Sequence, residues 1–499
     1  MTDVSQDTVA TQNRTRTLSS WMTDHSYDGT DDIIADRALH PMRVPYDDTD
    51  ILTRLLNDHR LITLRYECSP LQTSHAVVVT QPSISLVGLG GPGVVEWHRN
   101  PDHKETTLKV GDATHGSNRT QIANIWFAHA GRDNYNGSGK LYNADRTISE
   151  RLTGDQSHIE LWQAGDAYIS VSGFGCPHFI SIFGGNGISL DRCSIVGGVW
   201  DPEFPAAQEA FSQIRLTGYY GTNDVGQTVY RQATNVWITN PYMQGLRTGD
   251  DSRRTVTIND KTATALQSFG PLYGLWVDRC EDWLLTGGHS QGFAHSNVAI
   301  IPSGPDGANF NGRIIGMTLD ESNIAAVYAR CDNSSWEAMR DLIISDTFMN
   351  GQMIGQQAIQ IDSGAGGTLP AVHRLRLNNV ATTAHLAAAV RLSGVDGGQI
   401  RNCRFAGYNM IGLTDGAGGA VLVDAVTQNL TLGDIIVGGG INRDMQGNAV
   451  DANGLSPNGT KYGLVVAPGS SCTYWKLREL NFGVAGGALN VGGTLDSAP

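Results

Sequence analysis

Residues 358–364 read Ala358-Ile359-Gln360-Ile361-Asp362-Ser363-Gly364: a small residue, alternating apolar and polar residues, then a turn. Alternation with period 2 is the pattern of a short β-strand with one face buried. The chain repeats it. Ala389-Val390-Arg391-Leu392-Ser393-Gly394 and Ala420-Val421-Leu422-Val423-Asp424 follow; Ala326-Val327-Tyr328-Ala329 and Ala299-Ile300-Ile301-Pro302-Ser303-Gly304 precede it. From Ala299 to Ala420 the steps are 27, 32, 31 and 31 residues. Gly274-Leu275-Trp276-Val277-Asp278-Arg279-Cys280 and Gly187-Ile188-Ser189-Leu190-Asp191-Arg192-Cys193 read as earlier members. A fixed period of about 20–50 residues marks a solenoid or a propeller.

A second strand family lies between members of the first, including Val236–Asn240, Trp283–Gly287, Ile314–Thr318, Leu342–Asp346, Leu375–Asn379 and Leu430–Asp434. Each repeat thus holds at least two short strands with Gly, Asn or Asp corners. A propeller blade needs four strands in ~40–45 residues, which excludes it, and the period-2 alternation excludes helical repeats. A parallel β-helix fits: an all-β solenoid whose rungs stack ~4.8 Å apart, so equivalent residues become neighbours. In the first family the second and fourth positions point inward, as in Ile188/Leu190, Leu275/Val277 and Ile359/Ile361. The third points outward: Ser189, Trp276, Ile301, Tyr328, Gln360, Arg391, Leu422, Val465. Trp276, Ile301 and Tyr328 are then expected as one contiguous apolar patch, and Leu422 with Val465 as another. Such patches mark a partner or a covering loop.

Composition narrows the class. Of 499 residues 60 are Gly and 17 Pro, and only 17% are charged, with net charge −14. Nucleic acid requires a basic face and is excluded as a partner. Seven widely spaced cysteines form no CxxC pair or zinc pattern, and those at 193, 280, 331 and 403 read as buried, reduced thiols. No metal and no cofactor is expected. The first residues lack the apolar core of a signal peptide, and no apolar run reaches ~18 residues, so a protein without its own secretion signal or membrane span is expected.

Residues 1–40 are polar and read as an arm. Tyr46-Asp47-Asp48-Thr49-Asp50 then precedes apolar positions 51, 52, 55 and 56, one face of a short helix with acidic residues at its start. Strand-like runs at 61–66, 76–80 and 84–91 follow. The last ends Gly88-Leu89-Gly90-Gly91 but leads to Pro92, not a helix, so it is no dinucleotide loop. This order resembles the start of the pectate-lyase-like family, in which a short helix caps a right-handed parallel β-helix. With the ~31-residue Gly-rich coils and polar arm, the chain looks like a phage tailspike over roughly residues 45–485. The resemblance implies a homotrimer of side-by-side β-helices. It implies an arm at 1–40 attached to the virion, a capping segment at 41–96, a β-helix body at 97–485 and a tail at 486–499. It also implies a surface that binds, and often cleaves, bacterial surface polysaccharide. A large C-terminal trimerisation domain, common in tailspikes, is not apparent.

Cleavage of a glycan by hydrolysis needs two carboxylates, ~5–5.5 Å apart for retention or ~6.5–9.5 Å for inversion. Asp320 and Glu321 close one coil, while Asp250 and Asp251 sit in a stretched loop near Arg253 and Arg254. These four are the candidate catalytic residues; Asp201, Glu203, Asp278, Glu281 and Asp282 are weaker. Corner Asp residues, such as Asp278, Asp362 and Asp424, serve turns equally well. His289 and His295 suggest a base or a metal pair, without diagnostic spacing. Aromatics concentrate in 200–283, and flat rings suit sugar faces. Trp276, Tyr328, Trp200 and Trp283 are the candidate substrate contacts. The best reading is a virion spike that binds, and with paired carboxylates depolymerises, a bacterial surface polysaccharide. A non-catalytic adhesive β-helix and a secreted polysaccharide lyase are the alternatives.

Overall fold

The computed structural model describes residues 27–39, 47–91, 93–99, 105–129, 157–174, 178–197, 211–222, 225–245, 253–259, 261–268, 271–302, 309–331, 338–352, 354–363, 370–413, 416–424, 426–437, 462–474, 480–481 and 489–497. Two ten-residue helices, α1 (Thr30–Leu39) and α2 (Thr49–Asp58), open the body. The second is the capping helix expected from the sequence. Asp47 holds its start, accepting from the Thr49 amide at 3.1 Å. Asp48 is instead gripped by Arg37 of α1 through Nε at 2.9 Å and Nη2 at 2.6 Å. Residues 27–39, read from the sequence as part of a polar arm, thus belong to the folded body. Tyr27–Asp28 also pairs in parallel with the strand Leu61–Leu64.

Beyond α2 almost every pairing is parallel, between a strand and its counterpart one coil away. Three sheets result. The first runs through Tyr273–Val277, Ser296–Ile300, Ala325–Arg330, Gln357–Asp362, Val390–Ser393, Val421–Asp424 and Leu464–Val466. The second runs through Ala233–Thr239, Cys280–Thr286, Asn309–Ile315, Met339–Ser345 and Val372–Asn378. The third consists of three-residue strands described below. Inside, Leu275/Val277, Val327/Ala329, Ile359/Ile361, Val390/Leu392 and Val421/Val423 are all fully buried, as the alternation requires. Each of the Val, Leu and Ile side chains contributes ~1.5–3 kcal/mol of hydrophobic stabilisation. The described cysteines, including 193, 280, 331 and 403, are buried. Burial pushes the Cys193 thiol up to about 12.

The corners need left-handed backbone, and Asn or Asp supplies it. Asn240, Asp346, Asn379, Asn402 and Asp434 have φ between 48° and 54° at one corner. Asn and Asp tolerate this region because the short polar side chain bonds locally. Here the bonds join coils: Asn379 Nδ2 donates to Asp346 Oδ1 at 2.7 Å, and Asn402 Nδ2 to Asn378 Oδ1 at 2.9 Å.

Register corrects two readings. Ile188 and Leu190 are inward but pair with Val236 and Ile238, so 187–191 lies on the second sheet and Ser189 is not in the Trp276 column. Ala299, not Ile301, stacks between Trp276 and Tyr328. The outward column is not exposed either. Trp276 is 9% and Tyr328 5% exposed, and Leu422 and Val465 are 7% and 5%. Tyr273, Leu272 and Ile301 pack around Trp276, while Ala388 and Tyr462 pack against Leu422 and Val465. The covering arises within the chain.

The stretched loop after Gln244 is an antiparallel hairpin, Arg253–Ile258 with Lys261–Leu266. It lies along the coil edge, with Val256 and Ala265 packed against Leu386, Ala387, Met410, Ile411 and Leu413. Arg254 anchors it, donating through Nη2 to the carbonyls of Asn323 at 2.5 Å and Ile354 at 2.8 Å.

Candidate functional site

The third sheet is built from Tyr242–Gln244, His289–Gln291, Thr318–Asp320 and Phe348–Asn350. The central residues Met243, Ser290, Leu319 and Met349 point inward and are fully buried. The flanking residues must then point out, in two columns: Tyr242, His289, Thr318, Phe348 and Gln244, Gln291, Asp320, Asn350. Tyr242 at 39% and Phe348 at 42% exposure are the apolar rims of this face.

Asp320 is its chemical centre. Its side chain is 12% exposed, and its Oδ2 lies 3.6 Å from His289 Nε2. Its Oδ1 is buried without a hydrogen-bond partner. Burial pushes the carboxyl up to about 6; the His289 charge opposes the rise and that of Glu321 adds to it. A carboxyl held near neutrality can give and take a proton at physiological pH. His289 Nε2 lies 3.0 Å from Gln291 Oε1, and the Tyr242 ring stacks on it with centroids 6.0 Å apart. Tyr242 donates its hydroxyl proton to Gln244 Oε1 at 2.9 Å.

Buried amides fix this strand from behind. Asn297, fully buried, donates through Nδ2 to the Ser290 carbonyl at 2.7 Å and the Asp320 carbonyl at 3.1 Å. Glu321 turns the chain with φ 56°. Its amide donates to the Asn350 carbonyl at 3.0 Å, and its carbonyl accepts from Ser268 Oγ at 2.5 Å. Ser268 lies on the return limb of the inserted hairpin and exchanges bonds with Asn323 at 2.9 and 3.0 Å. The insertion is therefore fastened beside Asp320.

Of the candidate catalytic residues, Asp320 and Glu321 lie at this edge, Asp320 on the outward face and Glu321 6% exposed at the turn. Asp250, Asp251, Asp201, Glu203 and Trp200 lie outside the described residues. Trp276 and Tyr328 belong to the first sheet, on another face. The Trp276 indole N–H donates to the Ile301 carbonyl at 3.0 Å, and the Arg215 guanidinium covers its ring at 4.5 Å. Trp283 is 1% exposed in the core, so as a substrate contact it is corrected. A Cβ on Gly312, its register neighbour, would meet the indole at 2.4 Å; the glycine makes room for it. His295 is buried between Tyr273 and Tyr328, and burial holds its pKa down at about 4. Among the described residues no group of three ligating side chains could hold a metal. Sequence reasoning missed Gln291 and Asn350, and reached Tyr242 only as one of the aromatics concentrated in 200–283. Their signal is a repeated triplet, Tyr-Met-Gln, His-Ser-Gln, Thr-Leu-Asp, Phe-Met-Asn, ending each time in a polar residue.

No protein-family model matches the chain, and no curated protein does. Solved structures do. Two structures of PfbA, a surface adhesin of Streptococcus pneumoniae, superpose with TM-score 0.51 at 11% and 12% identity. Each covers 90% of this chain, and the match spans 88% and 94% of theirs. The Dettilon tailspike protein matches with TM-score 0.44 and 11% identity over 91% of this chain and 65% of its own. Identities this low speak to fold alone, and at that level the resemblance read from the sequence holds: the chain is a parallel β-helix protein.

Proposed function

We propose that the chain is a β-helix spike that binds a bacterial surface polysaccharide across the third sheet and cleaves it, with Asp320 as the general acid. The observation that carries this reading is the buried, unpartnered Oδ1 of Asp320, in a carboxyl raised to about 6 on an outward face rimmed by Tyr242 and Phe348. A structural carboxylate in a turn would have its oxygens satisfied and its pKa left low; this one does not. Glycosidic cleavage requires a protonated acid and a second carboxylate across the bond. Asp250 and Asp251 are the proposed source of the second, since their insertion is fastened to Glu321 through Ser268. The coil is proposed to be right-handed, following the rule for parallel crossovers. Attachment to a virion through the segment before residue 27 and a homotrimer are proposed from the tailspike resemblance. A low charged fraction and net charge −14 suit a neutral glycan better than a strongly anionic one.

Incubating purified capsular and O-antigen polysaccharides with the protein and sizing the products tests the reading. One of them is expected to shorten, faster at pH 5 than at pH 8. If every glycan keeps its length, cleavage is refuted. Light scattering is expected to give three times the 53.5 kDa chain mass, and a stable monomer would refute the trimer.

A further inference from the structure

A second cleft lies on the first sheet, away from Asp320. It has a volume of about 510 Å³, within the ~300–1,000 Å³ range of small-molecule sites. Its floor is apolar, made by Leu422 and Val465. Ile258 and Asn259, at the tip of the inserted hairpin, form one wall. Gln357, Arg391 and Asp424 supply the polar groups.

Gln357 and Arg391 each keep one polar atom unsatisfied. Gln357 is 5% exposed, yet its Oε1 has no hydrogen-bond partner. Arg391 places Nη2 3.3 Å from Asp424 Oδ2, while its buried Nε donates to nothing. Gln360, one rung from Arg391 in the same outward column, also has a buried Oε1 without a partner. Unpaired buried polar groups destabilise the fold, so they mark a place where a ligand completes the set.

We propose that this cleft is a second binding site, for a neutral saccharide unit. The chemistry decides the class. The Gln357 amide oxygen asks the ligand for a donor, and the Arg391 Nε–H asks it for an acceptor. A hydroxyl does both. An anionic ligand would meet the Asp424 carboxylate, and a cationic one the Arg391 guanidinium. A sugar ring also offers an apolar C–H face to Leu422 and Val465. A peptide would need edge partners, and the backbone of this sheet is already paired with coils on both sides. The inference rests on the polysaccharide reading for its biological setting, but the site is separate from Asp320.

The test is saturation-transfer NMR and calorimetry on the full chain. The probes are glucose, galactose, mannose and N-acetylglucosamine as methyl glycosides, with glycerol, methyl glucuronide and an uncharged pentapeptide as comparisons. At least one neutral glycoside is expected to bind, with affinity falling tenfold or more in both Gln357→Leu and Arg391→Met. Leu39→Ala, at an exposed position of α1 on neither face, is expected to bind it unchanged. Circular dichroism and melting of both cleft variants establish that they fold. The proposal is overturned if no neutral glycoside binds, or if glycerol, the glucuronide or the peptide binds more tightly. It is also overturned if binding survives in a folded cleft variant. Loss of binding in Tyr242→Ala with retention in Gln357→Leu would assign the sugar to the third sheet, refuting the second site while leaving the first intact. Dissociation of an oligomer by the cleft variants, with no glycoside bound, would make the cleft a contact between copies and refute it as well.

Discussion

Asp320 shows how one side chain can cost stability and supply chemistry. Its folded pKa of about 6 stands above the ~3.9 of an unfolded Asp. Between these values the native state binds more protons than the unfolded chain, so this group's contribution to stability falls as pH rises from about 4 to about 6. Asp320→Asn carries no charge and is expected to gain melting temperature relative to wild type as pH goes from 4 to 7. A difference that stays flat across that range contradicts the assignment. A second residue-scale test concerns the corners. Asn379 has φ 54° and bonds Asp346 across the coil. Asn379→Val is expected to cost about 2–3 kcal/mol in urea unfolding, from left-handed strain of ~1–2 and a lost hydrogen bond of ~1. Asn379→Gly should recover the backbone share. At this scale the sequence was legible where periodicity spoke: Ile359, Ile361 and Gln360 face as the alternation demands. It was misleading at Trp276 and Tyr328, because an outward position is not an exposed one. Arg215 covers Trp276 and His295 covers Tyr328 from other coils, while Tyr273 packs on Trp276 from its own strand, and no local pattern reports the first two.

Elements tell a different story. The capping helix was legible, since five buried positions fall on one face after an acidic start. The hairpin at 253–266 was legible only as excess length between repeats; its strands alternate weakly and its packing partners lie far along the chain. Val256 meets the cluster of Leu386, Met410 and Ile411. Val256→Asp, placing a charge in that contact, is expected to detach the hairpin while the coils stay folded. Limited proteolysis should then cut near residues 245–270 at least tenfold faster, with the far-ultraviolet spectrum unchanged. Global unfolding, or unchanged proteolysis, contradicts the view of the hairpin as an add-on strapped to a finished solenoid. The third sheet was the least legible. Strands of three residues are too short to show a period, so Tyr242, His289 and Asp320 became neighbours only through register.

For the whole molecule, the repeat of about 31 residues is the source of both architecture and function. Stacking makes each coil bury its neighbours' apolar residues, and it turns positions dozens of residues apart into one surface. The strings at 187–193 and 274–280 look alike yet lie on different sheets, because turns of unequal length shift the phase of the repeat. The overall coil survives such slips; the assignment of residues to faces does not. The same stacking carries Asp320 and His289 to one face and fastens the end of the inserted hairpin, at Ser268, to Glu321 beside it. The most direct test of this account compares wild type and Asp320→Asn on a polysaccharide that the wild type shortens, following chain length by size-exclusion chromatography. The account predicts that the variant still binds the polymer and shortens it at least a hundredfold more slowly, in line with loss of a general acid worth ~10²–10⁴ in rate. Shortening by Asp320→Asn at the wild-type rate would contradict it.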